Sequence, residues 1–274
     1  MTLISLLLVL AIERVARLNR YWQADTYFSH YQALLTQRGW LGGQHNIYLL
    51  ACLAVIPALL LFLLLQIMDS NLVSFIISTA VLMVCVGCPA LRSTYKSYLQ
   101  AANRGDLQAC SLYAEQLGHD DSSSTSFGQN LVWLNYRHYA ATLLYFVAFG
   151  APGAVCYVLA RSLHNYLQQQ QDTAAAQAGQ LMHIVDWLPV RITALGFLLV
   201  GHFSRAFPVW LSHFPDPAIE AKTLLVEVSR AAEEVEPDEH DCTEEPCTLV
   251  RLAKRNLMFM LVIISLLTLS GWIN

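Results

Sequence analysis

Between Asn46 and Leu91 the sequence carries a single charged residue, Asp69. Two apolar runs flank it, Asn46–Met68 and Leu72–Leu91. Each is close to the length a helix needs to cross the hydrocarbon core, ~20 residues. In lipid a backbone must satisfy its polar groups internally, so runs of this kind fold as helices. The Asp69-Ser70-Asn71 turn has no positive charge. Arg14, Arg17, Arg20 and Arg38 precede the pair, and Arg92, Lys96 and Arg104 follow it. The positive-inside rule then places both flanks in the cytoplasm and the turn outside. Composition agrees: of 274 residues, 55% are hydrophobic and 13% charged, where a soluble domain has about 25% charged. The expected fold is all-α, a polytopic helical membrane protein with kinked or partial helices and short amphipathic cytoplasmic helices. It is read as a single membrane domain over residues 1–274.

The remaining spans are less uniform. Residues 2–12 form a partial span, retained as a short helix whose wet end carries Glu13, Arg14 and Arg17. Residues 46–68 and 72–91 are the strong pair, with Pro57 inside the first. Cys85-Val-Gly-Cys88 has a C-x-x-C spacing, but it stands alone at the end of a span and reads as small buried cysteines. Residues 92–130 are cytoplasmic, with one or two amphipathic helices and a break at Arg104-Gly-Asp106 that Asp106 caps. Residues 139–160 cross next. Trp133, Tyr136 and Tyr139 suit an aromatic belt, which leaves Asn135, Arg137 and His138 unexplained. Arg161–Gln180 is a polar, weakly helical connector, placed outside. Residues 184–203 are a marginal or re-entrant span. Residues 206–256 are cytoplasmic, with a helix from about Ala218 to Val235 and an acidic loop holding His240, Cys242 and Cys247. That trio matches no common zinc spacing. Residues 257–273 are the last span.

Leu181–Arg205 holds the densest polar chemistry. His183, Trp187 and Arg191 recur at i, i+4 steps and share a face on an unbroken helix. Pro189 removes a backbone donor and predicts a kink or a fresh start. Asp186 is then either the N-cap of that new helix or a functional carboxylate. A charge at mid-bilayer costs roughly 2.5–3.5 kcal/mol on insertion scales, so such residues face a partner, a cavity or water. The candidate ligand-binding residues are Glu13, Arg14, Asp25, Arg104, Asp106, Asn135, Arg137, His138, His183, Asp186, Arg191 and His202. Arginines beside carboxylates suit an anionic, phosphate-bearing ligand, since guanidinium binds phosphate in a bidentate way. The same residues equally suit internal ion pairs. The sequence holds no Walker A, G-x-S-x-G, H-E-x-x-H or dinucleotide fingerprint. It has no acidic magnesium cluster and no basic stripe for nucleic acid. No cofactor and no metal are expected.

Several stretches carry a specific resemblance. They are I-E-R and W-Q-A-D (Ile12–Arg14, Trp22–Asp25), Y-L-Q-A-A-N-R-G-D (Tyr98–Asp106) and L-V-W-L-N-Y-R (Leu131–Arg137). V-D-W-L-P-V-R (Val185–Arg191) and G-H-F-S-R-A-F-P-V-W (Gly201–Trp210) complete the set. With them the chain resembles the AmpE family of bacterial inner-membrane proteins over essentially its full length. That resemblance implies a regulatory or sensory modulator linked to β-lactamase induction and cell-wall recycling, beside an amidase that recycles muropeptides. P-V-R-I-T-A-L (Pro189–Leu195) and the Asn135 region are similar, more distantly, to the CbiB/CobD membrane proteins of cobalamin biosynthesis. That family carries two aspartates shortly before its P-A-R motif, where Met182 and His183 stand here. An aspartate after its Asn region is also missing, with Arg137 and His138 nearby. These departures argue against synthase activity.

The function expected is a non-enzymatic, multi-pass inner-membrane modulator that binds an anionic or cell-wall-derived ligand or a membrane protein partner. The alternatives are a CbiB-like transferase or ligase acting on a phosphorylated membrane-associated substrate, and a structural partner of a transporter or cell-wall enzyme. The six-crossing topology puts Arg161–Gln180 outside. A cysteine at Gln170, in a background lacking the native ones, is therefore expected to react with an impermeant reagent in intact cells. Protection until lysis would return that loop to the cytoplasm.

Overall fold

The computed structural model describes residues 2–15, 22–38, 47–68, 70–119, 125–171, 174–233 and 243–271, with the backbone alone at Arg14 and Val15. Arg17 and Arg20, Asp69 of the hairpin turn, most of the Asp120–Ser126 loop and the acidic stretch with His240 and Cys242 lie outside the described residues. The elements are α1 (Thr2–Val15), α2 (Ala24–Gln37), α3 (Ile47–Ile67), α4 (Asn71–Cys85), α5 (Pro89–Ala102), α6 (Leu107–Gln116) and α7 (Phe127–Asn135). A π-helical turn, Tyr136–Ala140, follows. Then come α8 (Ala141–Gln169), α9 (Ala175–Val200), α10 (Phe203–His213), α11 (Ala221–Ala232) and α12 (Glu244–Leu269). No strand occurs among the described residues, so the protein is all-α. Among the same residues α3, Phe127–Gln169, α9 and α12 are long and apolar enough to cross a membrane. A fifth crossing results if α4 and α5 count as one broken span.

Residues 1–87, 141–186 and 264–274 form one compact unit, and residues 88–140 and 187–263 form another. In the first, α8 is the central helix and packs against α1, α2, α3 and α4. Leu35, Leu50, Leu53, Leu163, Leu167, Ala174 and Ala178 build a core there. In the second, α5, α6 and α7 close around Tyr98, Cys110, Ala114, Phe127 and Leu131, while α11 packs on α7 and α10. Asp106 caps α6 by accepting from the Ala109 amide at 3.0 Å, as its position after Arg104-Gly predicts. Ser126 and Gln129 form a capping box at the start of α7.

Three boundaries differ from the sequence reading. Residues 72–91 are not one unbroken helix: α4 ends at Cys85, and α5 starts at Pro89. Gly87 takes φ +78, open to glycine at no steric cost. Cys88 is extended, as a residue before proline prefers. Arg161–Gln180 is not a weakly helical connector. Helix α8 runs on to Gln169 and buries Arg161, Ser162, Leu163 and Leu167. The last helix begins at Glu244, well before residue 257, so its first turns lie ahead of the apolar stretch.

The fourth difference concerns Pro189. Helix α9 runs without interruption from Ala175 to Val200, so Asp186 sits in its interior and caps nothing. Pro189 has no N–H to offer the carbonyl of Val185, four residues back. The Tyr145 hydroxyl donates to that carbonyl instead, at 2.9 Å. The same arrangement recurs in α3. Pro57 leaves the Leu53 carbonyl without its helical donor, and the Tyr31 hydroxyl donates to it at 2.8 Å. Burial pushes the Tyr31 phenol pKa up, which keeps that proton in place. Pro152 in α8 is met differently, by a backbone departure at Gly150 with φ 69 and ψ −159.

Tyr145→Phe and Tyr31→Phe are each expected to cost about 1 kcal/mol, since a buried acceptor loses its donor. The cost should largely vanish in Pro189→Ala and Pro57→Ala backgrounds, where the helix amide returns. Double-mutant cycles on unfolding in mild detergent measure this. An undiminished cost in those backgrounds would refute the pairing.

Candidate functional site

Buried charge in the first unit gathers on α8 and α9. Tyr157 and Arg161 lie one turn apart on α8 and so share a face. The Tyr157 hydroxyl donates to Asp186 Oδ1 at 3.1 Å. Its ring stacks on Tyr145, with centroids 5.1 Å apart. Asp186 is 3% exposed and Arg161 2%, and Glu13 in the last turn of α1 is 7% exposed. Two carboxylates and a guanidinium thus sit inside apolar helices, where charge is expensive and tends to mark function. The Thr79 hydroxyl also donates to Ser5 Oγ at 2.9 Å, adding a polar contact between α1 and α4. Arg161 and Tyr157 are residues that sequence reasoning passed over. The signal was available for Arg161: it is a cation directly after an apolar run that small residues close, but reading the span as ending at Ala160 put it in water.

His183, half-buried on α9, belongs to the same unit. Asp25 lies exposed in the first turn of α2, where a carboxylate favours the helix N-terminus. Nothing is described of the Arg14 side chain.

In the second unit Arg191 is almost fully buried and spends its donors on backbone carbonyls. Nη1 reaches Trp187 O at 2.9 Å, Nη2 reaches Asp216 O at 2.6 Å, and Nε reaches Phe214 O at 3.4 Å. Its guanidinium lies 4.3 Å from the Trp187 ring centroid, which is the contact that i, i+4 spacing on an unbroken helix predicts. Arg191 therefore pins the corner between α10 and α11. Asp216 closes that corner by accepting from the Ala218 amide at 2.9 Å.

Arg137 and His138 sit on the π-helical turn, half-buried beside Asn135. Arg137 lies over Trp133 at 5.6 Å, so that tryptophan does more than line a membrane boundary. A π turn displaces side chains from the regular helical register and is often found at functional sites. Arg104 and Asp106 are exposed at the α5–α6 corner, and Asp106 is occupied as a cap. His202 is exposed at the start of α10. Its amide donates to Ala232 O at 2.9 Å, while its side chain makes no capping bond.

Asn256 of α12 was also missed. It is buried, and its Nδ2 donates to Thr193 O at 3.0 Å. Gly196 makes the room: a Cβ there would lie 2.0 Å from Asn256 Oδ1. One turn before it in α12, Leu252 and Ala253 are buried with it. Arg255 donates to Val200 O at 3.3 Å at the C-terminus of α9 and pairs with Glu233. Among the described residues no three His, Cys, Asp or Glu side chains converge as a metal site.

The chain matches a family model described as regulatory signalling modulator protein AmpE over residues 1–273. It is 29% identical to Protein AmpE of Shigella flexneri, over 99% of both chains. It is 28% identical to the cobalamin biosynthesis protein CobD of Chromobacterium violaceum over 53% of this chain and 49% of that one. A second CobD, from Stutzerimonas stutzeri, is 25% identical over 60% and 57%. The chain thus covers only about half the length of each CobD protein. No solved structure matches.

Arg191→Lys retains the charge but not the planar fork, so it cannot keep all three carbonyls and the Trp187 stack together. A loss of about 1–3 kcal/mol in stability is expected. Faster proteolysis at residues 214–218 in the intact protein is expected too, while unchanged cleavage there would deny Arg191 its part in the corner.

Proposed function

Because this chain belongs to the AmpE family, matched over residues 1–273, we propose that it serves as a regulatory modulator in the bacterial inner membrane. In this reading it takes part in β-lactamase induction and cell-wall recycling. It acts by binding an anionic ligand or a protein partner rather than by catalysis. The observation that carries the reading is the burial of Asp186 and Arg161 in apolar helices of one unit, with Tyr157 bonded to the carboxylate. A packed apolar pair of similar volume is often at least as stable as buried charges, so a binding role gives a reason for keeping them.

The polar residues that border apolar segments in the sequence, Glu13, Arg14, Asp25, Arg104, Asn135, Arg137, His138, His183 and His202, are proposed as further contributors. Asp106 and Arg191 are weaker candidates, since capping and the α10–α11 corner already account for their bonds. The arginines supply bidentate donors for a phosphate or carboxylate. The partial likeness to two CobD proteins favours a second reading, a transferase or ligase acting on a phosphorylated membrane-associated substrate. Met182 and His183 stand against it, because neither supplies the carboxylate that the resemblance calls for.

Asp186→Asn and Arg161→Met, introduced separately, are expected to abolish β-lactam-induced β-lactamase expression while membrane abundance stays at the wild-type level. Induction and immunoblotted membrane fractions from the same cultures test this. If output falls only in step with abundance, the buried charges serve packing and the reading fails. Saturable binding of nucleotide with divalent metal by the purified protein would instead support the enzyme.

A further inference from the structure

α10 carries an aromatic face that the ligand reading leaves unused. Phe203, Phe207 and Leu211 recur at i, i+4 and i+8, and Phe214 continues the row. All four are between 38% and 51% exposed. Phe203 stacks on Phe207 with centroids 5.2 Å apart, and Trp210 packs on Phe214 at 4.6 Å. The other sides of the helix are accounted for. Ala206 is buried and His213 pairs with Glu227 of α11, while Arg205, Pro208 and Ser212 form an exposed side. Four large apolar side chains in one row, rimmed by polar ones, need a cover.

What covers them follows from residues 187–200 of α9, in the same unit. Leu188, Ile192, Leu195 and Leu199 are exposed along α9 at helical spacing, and α9 is one of the helices apolar enough to cross a membrane. In a helix that crosses a bilayer, an exposed apolar row of this kind meets lipid. α10 is tied to α9 at both ends. Phe203 follows Val200 after two residues, and the carbonyls of Phe214 and Asp216 are held by Arg191. Arg191 precedes Val200 by about 13 Å at 1.5 Å per residue. Both ends of α10 are therefore held to the last three turns of α9, the stretch that carries Ile192, Leu195 and Leu199.

We propose that α10 is a membrane-embedded return element, half sunk in the bilayer. Phe203, Phe207, Leu211 and Phe214 contact acyl chains, and Arg205 and Ser212 face water and headgroups. Amphipathic helices of this composition bury their apolar side at the headgroup–acyl boundary. Residues 203–214 then belong to the membrane, and the water-exposed segment of the chain starts beyond them. The reading is independent of any ligand.

The test uses the full-length chain with its seven cysteines replaced, in nanodiscs of phosphatidylethanolamine and phosphatidylglycerol. Nitroxide labels are placed singly by Phe207→Cys, Leu211→Cys and Ser212→Cys. Collision with oxygen should exceed collision with a water-soluble nickel chelate at 207 and 211, and the order should reverse at 212. Two positions on the row keep the test decisive if one variant folds poorly. Nickel access at 207 and 211 equal to that at 212 would place the row in water. Shielding of both from either reagent would show that protein, a second copy included, covers it. Each of those results overturns the proposal.

Discussion

A carbonyl without a donor inside an apolar helix has nowhere to turn but a neighbouring side chain, and this fold is arranged around that need. Pro189 and Pro57 each strand a carbonyl, at Val185 and Leu53, and a tyrosine from another helix supplies each proton. The bond from Tyr145 does more than repair α9. It ties α9 to α8 beside the place where Tyr157 holds Asp186, so the buried carboxylate and the repaired turn lie next to each other. The tyrosine rings stack, which fixes both hydroxyls in one short stretch of α8. The proline that suggests a broken helix in sequence thus becomes a joint between two helices.

Charged residues in the chain divide by what they touch. Asp106 and Arg191 bond to backbone and hold corners. Arg255 closes the end of α9 and pairs with Glu233, an arrangement suited to a helix C-terminus where cations are favoured. Asp186 accepts from a side chain instead, the Tyr157 hydroxyl, and it is as buried as Arg191, Arg161 and Glu13. This sorting accounts for the bonds of Asp106 and Arg191, which charge type and spacing alone do not. An arginine beside an aspartate in sequence looks the same whether it binds a ligand or a loop.

Family membership and the geometry bear on different questions. The AmpE match spans nearly the whole chain, while the CobD likeness covers only part of it. Fold likeness alone transfers no reaction, so activity must be argued from the side chains present.

Apolar run length and the distribution of basic residues were enough to establish an all-α, multi-pass membrane protein, because lipid admits little else for such runs. The Asp106 cap was also legible, since it is a local contact set by the break before it. The break at Gly87–Pro89, the continuity of α9 through Pro189 and the burial of Arg161 were not. The last two depend on what another part of the chain supplies: a tyrosine hydroxyl forty residues away in the case of Val185, and the surrounding helices in the case of Arg161. Sequence periodicity reports which face of a helix is apolar, but not which distant hydroxyl will meet a stranded carbonyl. Tertiary packing alone decided that, and with it which charges of this chain are buried.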